Sequence, residues 1–289
     1  MATIITHPGS AHLDDFLSSC LVIYKSGDIE KIYRKEPDIS EIEDPNIWKL
    51  DVGDKFDPAI KCYDHHNVTI EDCTLSLLLK DWGIWKKANI VHNWLKVAVV
   101  KDAKGPKEVL NLLNISYTAL NGLDSFIERT ILGIFEKKDV INRKSALFSL
   151  MKTIGKRFFT QIDEYFKVLK LVEANAEYKK IKGVPIVMYY ENARHSSMLV
   201  RILNEKKKEF FGDERGGIVI FPNNRPEGTI GLKKYDNDKR VDFSKIAKYE
   251  KVVYTHPQGF FLVVDKMSPY ELERYIEDAI IGKSEEEIF

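Results

Sequence analysis

Cysteine is scarce in this sequence, and its placement excludes two classes of protein. The chain has three cysteines, Cys20, Cys62 and Cys73, and no two of them form a Cys-x-x-Cys pair. An odd number of widely spaced cysteines argues against a secreted disulfide scaffold. The lack of thiolate pairs argues against a structural zinc site. We therefore expect a protein of a reducing, cytoplasmic compartment.

Long hydrophobic runs and an excess of charge of one sign are also lacking. No apolar stretch reaches the ~18 residues that a membrane-spanning helix needs, and residues 1–12 lack the layout of a signal peptide. We therefore expect no association with a membrane. Lys and Arg together number 44, as do Asp and Glu, so the formal net charge is zero. A surface that binds polyanions must therefore be local.

The chain is long enough for two domains. It has 289 residues, of which 44% are hydrophobic and 30% charged. This is the balance of an ordinary globular protein, and domains commonly have about 150 residues. Strand and helix patterns alternate at first, residues 73–182 are almost wholly helical, and strand patterns then return. We predict one domain over residues 1–180 and a second over residues 181–289.

The beginning of the chain predicts a parallel sheet. Residues 2–7 are mostly β-branched and end at Pro8-Gly9, which predicts a short buried strand. Apolar side chains at helical spacing follow over residues 12–25, and Gly27 stands where a C-terminal cap belongs. Further strands are predicted over residues 29–33 and 47–52. This order indicates an α/β domain, with the long helical segment as an insert.

The second half of the chain predicts a smaller α/β domain. Helices over residues 125–138 and 160–180 are expected to lead out of the first domain. Strands are then predicted over residues 185–190, 217–222, 228–234, 252–255 and 260–265, and helices over 194–208 and 268–281. A cleft between the two domains is where we expect a substrate to bind.

Imidazole and carboxylate side chains are concentrated at three predicted strand ends. The members are His7, His12, Asp14 and Asp15 after the first strand, Asp51 after another, and Asp64-His65-His66 after a short apolar stretch. A single Asp at a strand end is ordinarily a turn residue. Three such clusters are expected to meet at one edge of the sheet, because the carboxyl ends of parallel strands lie together. Imidazole with carboxylate suits Mn²⁺, Zn²⁺ or Fe²⁺, so we predict a metal site.

These motifs resemble the DHH phosphoesterase superfamily, named for the Asp-His-His found at residues 64–66. The stretch from Thr6 to Asp15 and the stretch from Leu50 to Pro58 both resemble the Myg-type exonuclease branch. The commoner form of the first motif has Asp where this chain has His12, a departure that the Myg type shares.

The resemblance implies two metal ions. One ion would be held by His7, His12 and Asp51. The other would be held by Asp14, Asp51, His65 and a further aspartate, for which Asp139 is the first candidate and Asp124 the second. Asp51 would bridge the ions, because two cations need negative charge between them. Manganese is the expected metal, with Mg²⁺, Zn²⁺ or Fe²⁺ as alternatives.

The remaining residues of the motifs are expected to support the chemistry. Asp15 and Asp64 would orient histidine ligands. His66 would donate a hydrogen bond to a phosphoryl oxygen and stabilise charge in the transition state. Two ions in such a site clamp the oxygens of an in-line displacement at phosphorus.

The C-terminal part resembles a DHH-associated domain more faintly. Lys233 lies on a strand where the family has an arginine, and the loop from Tyr254 to Phe260 carries His256 and Gly259 in the Myg-type arrangement. Residues 225–251 contain eight basic residues and five acidic ones. We interpret Lys233, Arg240, His256 and Gly259 as a grip on phosphate groups, with Arg194 at a helix start as a further candidate.

Three functions remain in competition. The leading hypothesis is a Mn²⁺-dependent exonuclease that hydrolyses short single-stranded RNA or DNA. The second keeps the metal chemistry but has a small substrate, such as pyrophosphate, a nucleoside bisphosphate or a cyclic dinucleotide. The third is a non-catalytic scaffold associated with nucleic acid, which the full set of ligands disfavours. Whether the protein forms a homodimer is left open.

Overall fold

The computed structural model describes residues 2–68, 71–122, 125–191, 196–212 and 215–281. The chain divides into two compact units, residues 1–163 and 164–289. Each unit contains one six-stranded sheet, so the α/β class expected from the sequence is confirmed. The division falls inside a long helix, whereas the sequence pattern places it near residue 180, close to the point where this helix gives way to strands.

The first unit begins with alternating strands and helices and then becomes helical. Its strands are β1 (Ala2–Thr6), β2 (Ile29–Arg34), β3 (Ile47–Leu50), β4 (Phe56–Asp57), β5 (Cys62–Tyr63) and β6 (Val140–Asn142). Its helices are α1 (Leu13–Ser26), α2 (Ile39–Glu43), α3 (Thr74–Asp81), α4 (Trp85–Val91), α5 (Leu95–Lys104), α6 (Pro106–Leu113), α7 (Tyr117–Gly122), α8 (Phe126–Glu136) and the first part of α9 (Ala146–Asn175).

Strand β1 lies inside the first sheet, with β2 on one side and β3 on the other, and all three are parallel. The full order is β4-β5-β3-β1-β2-β6. Strand β5 runs parallel to β3, while β4 and β6 are antiparallel additions at the two edges. The chain moves to opposite sides of β1 in successive steps, and α/β sheets bind ligands at the carboxyl end of such a switch point.

Helix α1 has clear start and stop signals, and it carries part of the predicted site on its first turn. The backbone N–H of His12, the N-cap, donates to Oδ1 of Asp15 over 2.9 Å. The helix ends at Gly27, whose φ of 72° is left-handed and whose N–H donates to the carbonyl of Ile23. Since glycine adopts this conformation without steric cost, the predicted cap is confirmed.

Two strands occupy segments that the sequence pattern assigns to helices. Strand β6 pairs with β2, and its central residue Ile141 is buried. Strand β7 (Glu177–Ile181) pairs with β8 (Val184–Met188), so α9 ends at Asn175 and not near residue 180. The prediction of helix was wrong there, because pairing with a distant or following strand outweighs local helix propensity.

The second unit is built on a sheet of order β11-β12-β10-β9-β8-β7. Its remaining elements are α10 (Ser196–Phe211), β9 (Ile218–Asn224), β10 (Glu227–Lys234), β11 (Val252–Thr255), β12 (Phe261–Val264) and α11 (Pro269–Ala279). A buried cluster that includes Ile220, Leu232, Leu262 and Ile276 forms its core. In the described ranges no helix combines the length and the apolar character required to cross a membrane.

The crossing of α1 and α9 predicts a strong effect on stability. A Cβ on Gly155 would overlap the carbonyl oxygen of Cys20 and lie 2.9 Å from Cβ of Tyr24. We expect Gly155→Ala to lower the free energy of unfolding by about 1–3 kcal/mol or more, because the helices must move apart. Gly133→Ala is the matched control, since nothing lies within 4 Å of its Cβ position.

Chemical denaturation measures both variants. The control is expected to be neutral or to gain up to about 1 kcal/mol, because alanine favours helix over glycine. Equal stability of the two variants would show that the close crossing is absent.

Candidate metal centre

The carboxyl ends of three parallel strands bring the predicted clusters together. His7 follows β1, Asp51 follows β3, and His65 lies two residues after β5. Nε2 of His7 lies 3.4 Å from Oδ2 of Asp51, and Nε2 of His65 lies 3.3 Å from Oδ1 of Asp51. Side chains separated by more than fifty residues along the chain therefore meet at one buried carboxylate.

Asp51 is the central residue of this cluster. Besides His7 and His65, its carboxylate has Nδ1 of His66 at 3.6 Å and accepts a hydrogen bond of 3.3 Å from the hydroxyl of Thr74. Its backbone φ of 63° is left-handed, a conformation that aspartate adopts more readily than most residues. Such strain is typical of functional sites, where the surroundings hold a residue in an uncommon conformation.

The donor atoms form three groups, in each of which all atoms lie within 4.8 Å of one another. The groups are His7, His12 and Asp51; Asp14, His65 and Asp102; and Asp51, His65 and His66. The first group has the composition expected from the sequence. The second contains two of the expected residues, together with Asp102, which the sequence analysis did not single out.

The structure places Asp139 outside these groups. Asp139 is exposed and precedes β6, and its backbone carbonyl accepts a hydrogen bond from the N–H of Arg34. Asp124, the second candidate, lies outside the described residues. The position expected for the last carboxylate is held by Asp102, whose Oδ2 lies 3.3 Å from Nε2 of His65 and whose Oδ1 lies 3.8 Å from Nδ1 of His12.

Asp102 gives little sign of its role in the sequence. It stands in α5 between Lys101 and Lys104 and does not follow a strand. A carboxylate beside lysines on a helix is ordinarily a surface residue. The one available signal is that Asp102 is the only acidic residue between positions 85 and 107.

Helix α3 holds two of the acidic groups through its first turn. The backbone N–H groups of Thr74 and Leu75 donate to the two carboxylate oxygens of Asp14, over 3.0 and 2.7 Å. The hydroxyl of Thr74 contacts both Asp51 and the carbonyl of Tyr63. The partial positive charge of a helix N-terminus favours a carboxylate at this place. The sequence analysis did not identify Thr74 as part of the site.

Asp15 is fully buried behind the histidines. Its Oδ1 accepts hydrogen bonds from the backbone N–H groups of His12 and Phe16. Its Oδ2 lies 3.5 Å from Nε2 of His7 and 3.6 Å from the guanidinium of Arg34. These contacts fix the start of α1 and one side of the His7 ring.

Asp64 contacts His66 and not His65. Its Oδ1 lies 2.8 Å from Nδ1 of His66 and accepts the backbone N–H of the same residue over 3.0 Å, while its Oδ2 accepts the N–H of Asp54. The carboxylate thus sets the orientation of the His66 ring. The side chain of His66 is 55% exposed, so part of the ring remains open to a ligand.

Four carboxyl groups crowd the site and perturb one another. Burial, followed by repulsion from Asp102 and Asp51, raises the pKa of Asp14 well above its usual value. Burial and repulsion from Asp51 raise the pKa of Asp15 to about 7. Burial and Asp51 also raise the pKa of Asp102. Ionisation of all four carboxyl groups is therefore disfavoured unless further positive charge is added to the cluster.

The histidines compensate part of this charge. Burial opposes the ionised form of Asp51 most strongly, but the hydrogen bond from His65 and the charges of His66 and His7 outweigh it and lower the pKa of Asp51. Burial lowers the pKa of His65, yet the hydrogen bond to Asp51 and the negative charges of Asp14, Asp51 and Asp102 reverse this effect and raise it to about 9.

The donor atoms fit a divalent metal ion. Nδ1 of His7 lies 2.7 Å from the carbonyl of Pro8, so a proton on Nδ1 leaves a lone pair on Nε2. Among the described residues, Nε2 of His7 and Oδ2 of Asp15 are buried and lack a hydrogen-bond partner. Buried polar atoms are nearly always paired, so unpaired acceptors beside a cluster of carboxylates match the needs of a cation.

Two of the predicted substrate residues lie near each other in the second unit. Lys233 on β10 pairs with Phe261 on β12, and the backbone N–H of His256 donates to the carbonyl of Phe261. Gly259 has a left-handed φ of 63°, and its N–H donates to the carbonyl of His256, which closes the loop.

Arg240 is engaged within the second unit. It forms an ion pair with buried Asp238 and donates to the carbonyls of Gly183 and Arg215. These contacts hold neighbouring loops together. Arg194 lies outside the described residues.

Two variants can show whether Asp102 or Asp139 is a metal ligand. We expect Asp102→Asn to weaken binding of one metal ion per chain and to lower activity by about 10²-fold or more, because a weaker neutral ligand replaces a carboxylate. Asp139→Asn should leave metal content and activity unchanged. Elemental analysis after dialysis at limiting metal, with activity on the same samples, measures both.

The opposite pattern would restore Asp139 as the ligand. Loss of metal in both variants would indicate that the two carboxylates act together.

Comparison with known proteins supports the resemblance drawn from the motifs. Residues 3–77 match the family model MYG1_exonuc, described as an uncharacterised protein family (UPF0160). The matched segment includes His7, Asp51, His65 and His66, so the resemblance to the Myg-type branch is confirmed over these residues. No curated protein shows significant sequence similarity to the chain.

Solved structures show a distant likeness. The chain is similar to a DHH domain described as a member of the s1p family of ribosomal proteins, with 12% identity, 95% and 85% of the two chains covered and a TM-score of 0.35. RecJ in complex with Mn²⁺ from Thermus thermophilus is 8% identical, with 95% of this chain and 51% of RecJ covered and a TM-score of 0.30. An exopolyphosphatase-related protein from Bacteroides fragilis is 13% identical, with 96% of this chain and 91% of that protein covered and a TM-score of 0.29. These TM-scores are too low to contribute to the argument.

Proposed function

We propose that the protein is a metal-dependent phosphoesterase, and more specifically an exonuclease that hydrolyses short single-stranded RNA or DNA with two Mn²⁺ ions. The observation that carries the proposal is the position of Asp51: its Oδ2 lies 3.4 Å from Nε2 of His7, and its Oδ1 lies 3.3 Å from Nε2 of His65, which also belongs to the donor group with Asp14 and Asp102. A carboxylate shared in this way is what two neighbouring cations require. The family match over residues 3–77 supports the same function.

The proposed ligands divide into two sets around Asp51. His7, His12 and Asp51 would hold one ion, and Asp14, Asp51, His65 and Asp102 the other. A pair of divalent ions supplies Lewis-acid stabilisation of phosphoryl oxygens and lowers the pKa of water, which is the chemistry that phosphodiester hydrolysis needs.

Protein groups supply orientation and a hydrogen-bond donor. Asp15 and Thr74 restrain the ligand side chains at distances of 3.5 Å or less from His7 and Asp51. His66, held by Asp64 and half exposed, is proposed to donate to a phosphoryl oxygen of the substrate.

A metal screen tests the function. Single-stranded RNA and DNA oligomers labelled at either end are incubated with Mn²⁺, Mg²⁺, Zn²⁺ or Fe²⁺, beside pyrophosphate and cyclic dinucleotides. We expect a ladder of products that grows from one end of the oligomers, fastest with Mn²⁺, and no products with a chelator. Hydrolysis of the small compounds alone would indicate a phosphatase or a small-molecule phosphodiesterase in place of an exonuclease. Absence of hydrolysis with every substrate would contradict the proposal that the protein is an enzyme.

The second unit is proposed to bind phosphate groups of the substrate. Lys233 and His256 both adjoin Phe261 and carry the required donors. We expect Lys233→Ala and His256→Ala to raise the KM for oligomers far more than the KM for a minimal chromogenic phosphodiester. Lys245→Ala, an exposed residue of the same unit, is the control. Equal losses on both substrates would argue against a phosphate grip here.

A further inference from the structure

The segment of the first unit from α4 to the start of α6 is strongly basic, and it includes the helix α5 that carries Asp102. Between residues 85 and 107 the sequence has six lysines and one acidic residue, which is Asp102 itself. The lysines are Lys86, Lys87, Lys96, Lys101, Lys104 and Lys107, and all six are exposed. In a chain with zero net charge this is a marked local excess, and its one negative group belongs to the metal centre.

Part of this positive charge is not neutralised by other side chains. Lys104 forms an ion pair of 2.7 Å with Glu71. For Lys86, Lys96 and Lys107, no ion-pair partner exists in the part of the chain that the structure describes. The positive charges of these three exposed lysines are available to attract a polyanion.

Three residues lie in a row along one side of helix α5, and the row ends beside Asp102 of the metal centre. Trp94, Ala98 and Lys101 are spaced by four and three residues, so they share one flank of the helix, and Asp102 lies about 100° further round the axis from Lys101. The backbone of Trp94, the N-cap, is already helical, so the spacing applies from its position onward. Asp102 lies eight positions after Trp94, a distance of about 12 Å along the helix axis.

Trp94 is 42% exposed, whereas the other three tryptophans of the chain are only partly exposed. Its ring contacts His92 and Phe158, with centroids 5.7 and 6.5 Å away, and these contacts hold it in place. A fixed and partly exposed indole suits a nucleic-acid base, because every base has a face that stacks on an aromatic ring.

We propose that the flank of α5 defined by Trp94 and Lys101 is a track for single-stranded nucleic acid, on which a base stacks against Trp94 and a phosphate contacts Lys101. The track leads the strand to Asp102 and the metal centre. It deepens the proposed function, on which it rests, by adding a binding surface on the first unit that favours strands of several nucleotides over a single small phosphate compound.

Direct binding tests the track without relying on hydrolysis. Fluorescence anisotropy with labelled oligothymidine and oligouridine is measured on the full chain carrying Asp51→Asn, so that the strand is not cut. Adding Trp94→Ala should weaken binding by about 5- to 150-fold, the loss of one stacked base, while Trp94→Phe should retain most of it. Adding Lys101→Glu should reduce the slope of log Kd against log salt by about one or more.

The control is Lys152→Glu, which makes the same charge change at an exposed position of α9. It should leave both the affinity and the salt slope unchanged. Wild-type affinity and slope in Trp94→Ala and Lys101→Glu would overturn the track. If the wild type hydrolyses no phosphodiester but these variants still lose affinity, the track stands and the proposed function fails. Comparison of the two oligomers decides between DNA and RNA.

Discussion

Replacing Asp51 with asparagine is expected to reduce turnover by about 10⁴-fold or more while leaving the fold intact. The carboxylate lies within 3.6 Å of three imidazoles and accepts a hydrogen bond from Thr74. Asparagine has nearly the same shape, so the packing survives. The negative charge between the two proposed metal positions is lost, and repulsion between two cations then has no compensation.

The test compares metal content, activity and thermal unfolding of the same samples. We expect Asp51→Asn to bind fewer than two ions per chain and to unfold at a temperature close to that of the metal-free wild type. Asp54→Asn is the matched control, because Asp54 is a nearby aspartate with a left-handed φ of 58° and an exposed side chain. Near-normal activity of Asp51→Asn would contradict the two-metal proposal.

The sequence alone predicted that His7, Asp51 and His65 lie close together, because each belongs to a local motif. His7, Asp51 and His65 each follow a short apolar strand, and parallel strands place their carboxyl ends at one edge of a sheet. Asp102 could not be predicted in this way. It lies on a helix whose rotation about its own axis is set by the burial of Leu95 and Val99 against the rest of the unit. Only that packing turns Asp102 toward His65.

The difference between local signals and contacts with distant residues also explains which parts of the fold were predicted. Helix α1 and most strands of the second unit have clear periodicity and turn residues, and they lie within a few residues of the expected bounds. Strands β6 and β7 were missed because their pairing partners, and not their own side chains, decide their conformation. The roles of Arg240 and Thr74 likewise depend on residues that are distant in sequence.

His66→Ala is expected to reduce turnover by about 10²–10³-fold and to leave the metal content unchanged. The ring is anchored at Nδ1 by Asp64 over 2.8 Å, and its side chain is 55% exposed. The Nε2 side of the ring therefore faces away from Asp64, and an N–H there can donate to a phosphoryl oxygen that gains charge in the transition state. Removal of such a donor lowers kcat more than it raises KM, because the interaction is strongest in the transition state.

Two further variants separate a donor from a ligand at this position. His66 also belongs to a donor group with Asp51 and His65, so the alternative role of its nitrogen is that of a metal ligand. His66→Asn retains an N–H donor and is expected to recover part of the activity lost in His66→Ala, with metal content again unchanged. Asp64→Asn removes the charge that orients the ring, so it should also lower kcat. Loss of a metal ion in His66→Ala would instead assign His66 as a ligand, and His65, whose Nε2 lies 3.3 Å from both Asp51 and Asp102, would then share that role.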